Sequence, residues 1–164
     1  MKLTLALSEK SISDAIRQLN QYKRDLPRKI ETLIAAMVAY GEDYAINEVG
    51  HIDSGETLES IKGYRNGNKG VIVAGGNAIF LEFGTGIRYN GPAGSSPHPM
   101  GSELGMTIGE YGKGKGGNPG GWWYYDESGA VKHTYGIPAT MFMYKTAREL
   151  ERIAPELARE VFKT

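Results

Sequence analysis

The chain has 164 residues, 19 basic and 19 acidic side chains, 23 glycines and no cysteine. That length suits one domain, residues 1–164, able to bury roughly two thirds of its unfolded surface. An apolar share of 40% and a charged share of 23% exclude wholesale disorder. The missing cysteines exclude a disulfide scaffold, a thiolate metal site and cysteine catalysis. Zero net charge argues against a dedicated nucleic-acid binder, and no apolar run approaches the ~20 residues that span a bilayer.

The opening Met1–Leu7 is apolar but ends at Ser8-Glu9-Lys10 with no small-residue cleavage site, so it does not read as a secretory signal. Leu3–Leu7 alternates loosely, as a short strand would. From Ser8, residues Ile12, Ile16, Leu19, Tyr22 and Leu26 recur at helical spacing, with Ser8 or Ser11 as N-cap. Pro27 is expected to break or kink this helix and to open a second one. Its stripe is Ile30, Leu33, Ile34, Met37, Val38, Gly41, Tyr44, Ala45 and Val49, with Gly50 as the stop. Gly41 costs about 1 kcal/mol against alanine inside a helix, which points to close packing there.

Beyond a turn at Asp53-Ser54-Gly55, two strand-like runs, Ile61–Arg65 and Val71–Ala74, flank Asn66–Gly70. The Asn-Gly pair predicts a hairpin with a loop longer than two residues. Asn77 to Phe83 reads as a short helix closed by Gly84. Fifteen of the 23 glycines fall between Gly84 and Gly136. Residues 87–121 have no apolar period, so they are expected to form a mobile loop with a functional role. Trp122–Asp126 and Val131–Tyr135 predict a second hairpin. Pro138 then opens a long C-terminal helix, which Pro155 is expected to kink or split. The expected fold is α+β: two N-terminal amphipathic helices, a small antiparallel sheet of two hairpins, the glycine-rich loop and a C-terminal helix.

Chemical motifs are sparse. Gly112-Lys113-Gly114-Lys115-Gly116-Gly117 fits GxGxxG, but Asn118-Pro119 forbids the helix that a dinucleotide site needs. His51, His98 and His133 share no ligand spacing, and no nucleophile-elbow pattern frames any serine. Glu82, Asp126 and Glu127 could supply a carboxylate pair only by residue type. A small hydrolase using Glu82, Asp126 or His133 remains an alternative. The densest aromatic cluster is Trp122-Trp123-Tyr124-Tyr125; on a strand its two pairs face opposite ways, one toward the core and the other toward a cover such as another subunit. Glu82 reads as a partly buried acid that pairs with an arginine, Arg88 or Arg148.

Three segments resemble elements of a known family. Asp53-Ser54-Gly55-Glu56-Thr57-Leu58-Glu59-Ser60-Ile61 is similar to its TG-x-L-x-x-SI element, with serine for threonine and one extra residue before the leucine. Ile79-Phe80-Leu81-Glu82-Phe83-Gly84-Thr85-Gly86 resembles YxxxVEFGTG without the tyrosine. Ile137-Pro138-Ala139-Thr140-Met141-Phe142-Met143 resembles xPARPFM, with Thr140-Met141 in place of Arg-Pro, and an insertion carrying GWWYYD precedes it. The order and separation also agree, over roughly residues 28–152. The family is that of the tail-completion or neck (head–tail joining) proteins of long-tailed bacteriophages, the gene-product-ten-like tail components.

The resemblance implies a structural part of the virion, assembled in the host bacterial cytoplasm, with no catalytic residue, cofactor or metal. It implies a homo-oligomeric ring and contacts with other neck and tail proteins (head-closure, tail terminator, tail tube). A membrane is not involved, and DNA would be only passing cargo. A tail terminator or head-closure protein of the same neck is the neighbouring alternative. The candidate interface residues are Glu82, Gly84, Thr85, Gly86, Arg88, Lys113, Lys115, Trp122 and Trp123.

Overall fold

A computed structural model describes residues 8–50, 55–85, 98–101, 103–104, 120–126 and 128–163. Mixed helix and strand is the result. A long helix α1 (Glu9–Val49) is followed by α2 (Glu56–Ser60), the hairpin β1 (Lys62–Asn66) and β2 (Lys69–Val73), and α3 (Ala78–Phe83). A second hairpin, β3 (Trp122–Tyr125) and β4 (Val131–Thr134), precedes the C-terminal helix α4 (Phe142–Phe162). The expected strand at Leu3–Leu7 lies outside the described residues.

One helix stands where two are expected. Ser8 caps α1, its side chain accepting from the Ser11 amide at 3.3 Å, and the helix runs through Pro27 for 41 residues. Proline removes one backbone hydrogen bond and crowds the preceding turn, but side chains tie the two halves together. Arg28 pairs with Asp25 at 3.7 Å, and the Lys29 ammonium lies over the rings of both Tyr22 and Phe162. Pro155 likewise sits inside an unbroken α4 of 21 residues. That helix starts at Phe142, not at Pro138. Residues 135–141 have no regular structure and end in Met141, whose φ of 55° is left-handed.

Helix α4 lies along the C-terminal half of α1. Lys145 pairs with Glu48 at 2.8 Å, Leu150 abuts Gly41, and the Tyr40 hydroxyl donates to Glu149 at 2.9 Å. A Cβ on Gly41 would overlap Ile72 Cδ1 and approach Leu150 Cδ1 to 2.9 Å, so glycine here admits two neighbours at once.

The first hairpin packs on the same part of α1. Lys62 pairs with Val73 and Asn66 with Lys69, which leaves a two-residue turn, Gly67-Asn68, rather than the longer loop expected. A positive φ at Gly67 alone is the pattern of a type II′ turn, whose twist suits the strands. Gly63 and Gly70 face Val38, where a Cβ on either would overlap it, and the Gly63 amide donates to Glu42 at 2.8 Å. The two hairpins do not join; each is its own two-stranded antiparallel sheet.

The core is Ala45, Val49, Ile61, Ala78, Leu81 and Phe142, with Ile46, Leu58, Ile72, Ala74 and Met143 packed against it. None of the Trp122–Tyr125 aromatics belongs to it. Trp122 is half-buried, whereas Trp123 and Tyr125 are 70% and 76% exposed. The second hairpin makes its hydrogen-bond ladder with itself, and among the described residues the expected core-facing pair finds no core.

Candidate functional site

The polar centre of the molecule is where α3 meets the start of α4. A helix leaves its first amides without intrahelical partners, and Met141, at the N-cap position of α4, supplies no side-chain acceptor. Glu82 supplies it from α3. Its Oε2 accepts from the Met143 amide at 2.8 Å and its Oε1 from the Tyr144 amide at 2.9 Å. A carboxylate here also meets the positive end of the helix dipole.

His98 completes the cluster. Its Nε2 lies 2.8 Å from Glu82 Oε1, and its Nδ1 accepts from the Met100 amide at 3.0 Å. Because Nδ1 is an acceptor, the proton sits on Nε2 and is donated to Glu82. The imidazole is held between Phe83 and Tyr144, ring centroids 4.4 and 5.4 Å away. Glu82 and His98 are only 7% and 6% exposed, so the pair is part of the interior.

Backbone and hydroxyl bonds close the same joint. Thr140 donates twice to the Leu81 carbonyl, from its amide at 2.8 Å and its hydroxyl at 2.9 Å. The Thr85 amide donates to the Ile137 carbonyl, and the Ile137 amide returns a bond to the Thr85 hydroxyl. Gly84, at φ 76°, makes the turn that lets Thr85 reach this segment. Thr140 and Met141, the departures from the resembled motif, thus have defined places: a clasp on α3 and the left-handed residue that opens α4.

The expected sites distribute unevenly over this geometry. Glu82 is buried as expected, and among the described residues its partners are His98 and two amides; Arg148 instead pairs with Glu151 at 2.6 Å. Gly84 and Thr85 are buried and serve the chain's own packing. Gly86, Arg88, Lys113 and Lys115 lie outside the described residues, as does most of 87–121, so its expected mobility falls there too. The described piece around His98–Gly101 is pinned, with His98 and Gly101 buried. His98 enters the sequence reading only as one of three histidines without ligand spacing, not as the partner of Glu82. Its only signal is a histidine between two prolines, Pro97 and Pro99, in a glycine-rich stretch.

Asp126 and His133 are occupied by the second hairpin. Asp126 Oδ1 accepts from the Ser128 and Ala130 amides and the Ser128 hydroxyl, and Oδ2 pairs with Lys132 at 2.8 Å. Lys132, then Ser128 and Ala130, hold this carboxyl well below the usual range. His133 Nε2 meets the Gly120 carbonyl at 2.6 Å, and its ring packs edge-on with Trp123 and Tyr135. Among the described residues, no three His, Asp or Glu side chains are grouped to hold a metal ion, and no helix is long and apolar enough to cross a membrane. No family model matches the chain, and no curated protein or solved structure matches it.

Proposed function

We propose that this protein is a structural component of a long-tailed phage or prophage virion, acting at the neck to complete the tail or join it to the head. The observation that carries the reading is the convergence of the three segments on which the resemblance rests. Ile61 from the first, Leu81 from the second and Phe142 from the third share one core, and Glu82 binds the second segment to the third. The roles of Glu82, Asp126 and His133 as cap, turn-builder and hairpin anchor also support it over hydrolysis.

The function in this reading is contact with other copies in a ring and with neighbouring neck and tail proteins. Heterologous contacts of one chain with its own copies close into rings. The test is to inactivate the gene in an otherwise intact phage or prophage. Filled heads and unattached or incomplete tails in the lysate, restored by the gene in trans, are the expected result. Mass spectrometry of purified particles should find the chain in the virion. Normal infectious particles lacking this protein would overturn the proposal.

A further inference from the structure

Helix α1 is about twice as long as its partner. At 1.5 Å per residue its 41 residues span roughly 60 Å, against about 30 Å for α4. Phe162, at the end of α4, lies beside Lys29. The side of α1 that meets α4, marked by Tyr40, Gly41 and Glu48, nevertheless continues along the same helical face through Leu26, Leu19, Ile16 and Ile12. Toward the N-terminus the face opens: Tyr22 and Leu26 are half-buried and the small Ala15 is buried, whereas Ile12, Ile16 and Leu19 are 47%, 53% and 49% exposed.

We infer that this stretch of α1 is a homodimer contact, in which the same stretch of a second copy lies antiparallel across it. Two features select a second copy. The face continues a helix–helix seam already used within the chain, so its shape suits another helix. Its apolar spacing also reads the same in both directions: from Ile12 to Ile16, Leu19, Tyr22 and Leu26 the gaps are four, three, three and four residues. An isologous contact requires a patch that complements itself under two-fold rotation. Centred on Leu19, the pair sets Ile12 of one copy level with Leu26 of the other. The second helix then takes up the seam where α4 stops. Gln18 and Asn20 flank the centre, so like charges do not meet at the axis.

This contact does not depend on the neck assignment, because it concerns the isolated chain. Its test is sedimentation and light scattering of the full chain from low micromolar to millimolar concentration. The expected result is a monomer–dimer equilibrium, abolished by Ile16→Glu with an unchanged circular dichroism spectrum and urea midpoint. The absence of native cysteine makes single-cysteine variants unambiguous. Leu19→Cys should cross-link to itself under mild oxidation many-fold faster than Arg17→Cys on the opposite face. A monomer at every concentration overturns the inference. So does a dimer or larger ring that survives Ile16→Glu, or that leaves Leu19→Cys uncross-linked, since a different surface then makes the contact. Absence of the protein from virions would leave the dimer result standing.

Discussion

Replacing Glu82 by glutamine tests the joint between α3 and α4 with almost no change in volume. The carboxylate has two oxygens and three donors: the amides of Met143 and Tyr144 and His98 Nε2. If the glutamine oxygen takes the Oε1 position, it keeps Tyr144 and His98 and points its NH2 at the Met143 amide. If the amide flips, two donors lose their acceptor. The first arrangement costs less, removing one bond to a charged acceptor, worth about 1.5–3 kcal/mol. It also removes negative charge from a helix N-terminus, worth about 0.3–1 kcal/mol and up to about 2 when partly buried. E82Q should therefore lose about 2–4 kcal/mol, a large share of the ~5–15 kcal/mol that holds a domain together. Urea unfolding followed by far-ultraviolet circular dichroism measures this as a lower midpoint at unchanged slope. Glu151→Gln is the control, since its exposed pair with Arg148 belongs to a class worth about 0–1 kcal/mol. A loss below about 1 kcal/mol in E82Q would refute the argument that this carboxylate caps α4.

Phe142 and Phe83 separate by burial. Phe142→Ala should cost about 3–5 kcal/mol in the same titration, and half-buried Phe83 clearly less; equal losses would contradict the packing described. Gly70→Ala should cost about 1–3 kcal/mol, because its Cβ would overlap Val38 and come within 3.1 Å of Ile34. An unchanged midpoint would mean that the hairpin lifts from α1 freely. Glu149 should titrate near 2 rather than 4.5, chiefly because Arg152 and then Tyr40 bond its carboxylate. A depressed folded value contributes stability above the unfolded pKa and loses it as pH falls from about 4.5 toward 2. Carboxyl chemical shifts against pH check this, and an ordinary midpoint would mean that the contact to Arg152 is not maintained in solution.

The periodic segments were legible, and so was the reason for Gly41. The apolar stripe from Ile30 to Val49 needed a partner, and a glycine inside it marked where that partner comes closest. The short helix before Gly84 and both hairpins also followed from local residues. Pro27 misled because a proline's cost is local and fixed, whereas what holds a helix through it comes from side chains such as Lys29 that reach Tyr22 and Phe162. The aromatic run at Trp122–Tyr125 misled because aromaticity records a need for contact without saying where the contact is. The Glu82 site was half legible. Its acid was visible, but its partners were not: backbone amides carry no sequence signal, and His98 comes from sixteen residues away.

The consequence is a molecule whose stability and whose open surfaces occupy different places. All of the central core lies against the last part of α1, at Ala45 and Val49, and is held by three short segments meeting at α4. Apart from the buried Ala15, the first part of α1 and the β3–β4 hairpin add no buried apolar side chain among the described residues, yet they carry Ile12, Ile16, Leu19, Trp123 and Tyr125 exposed. Exposed apolar groups on a folded body are inexpensive to change for the fold and costly to change for contacts. Substitutions at these positions should therefore leave the urea midpoint nearly unmoved while altering association, and substitutions at Ile61, Leu81 or Phe142 should do the reverse. If Trp123→Ala or Leu19→Ala instead lowered the midpoint as much as Phe142→Ala, the exposed elements would be bound up with the core. The separation between fold and contact argued from the buried residues would then fail.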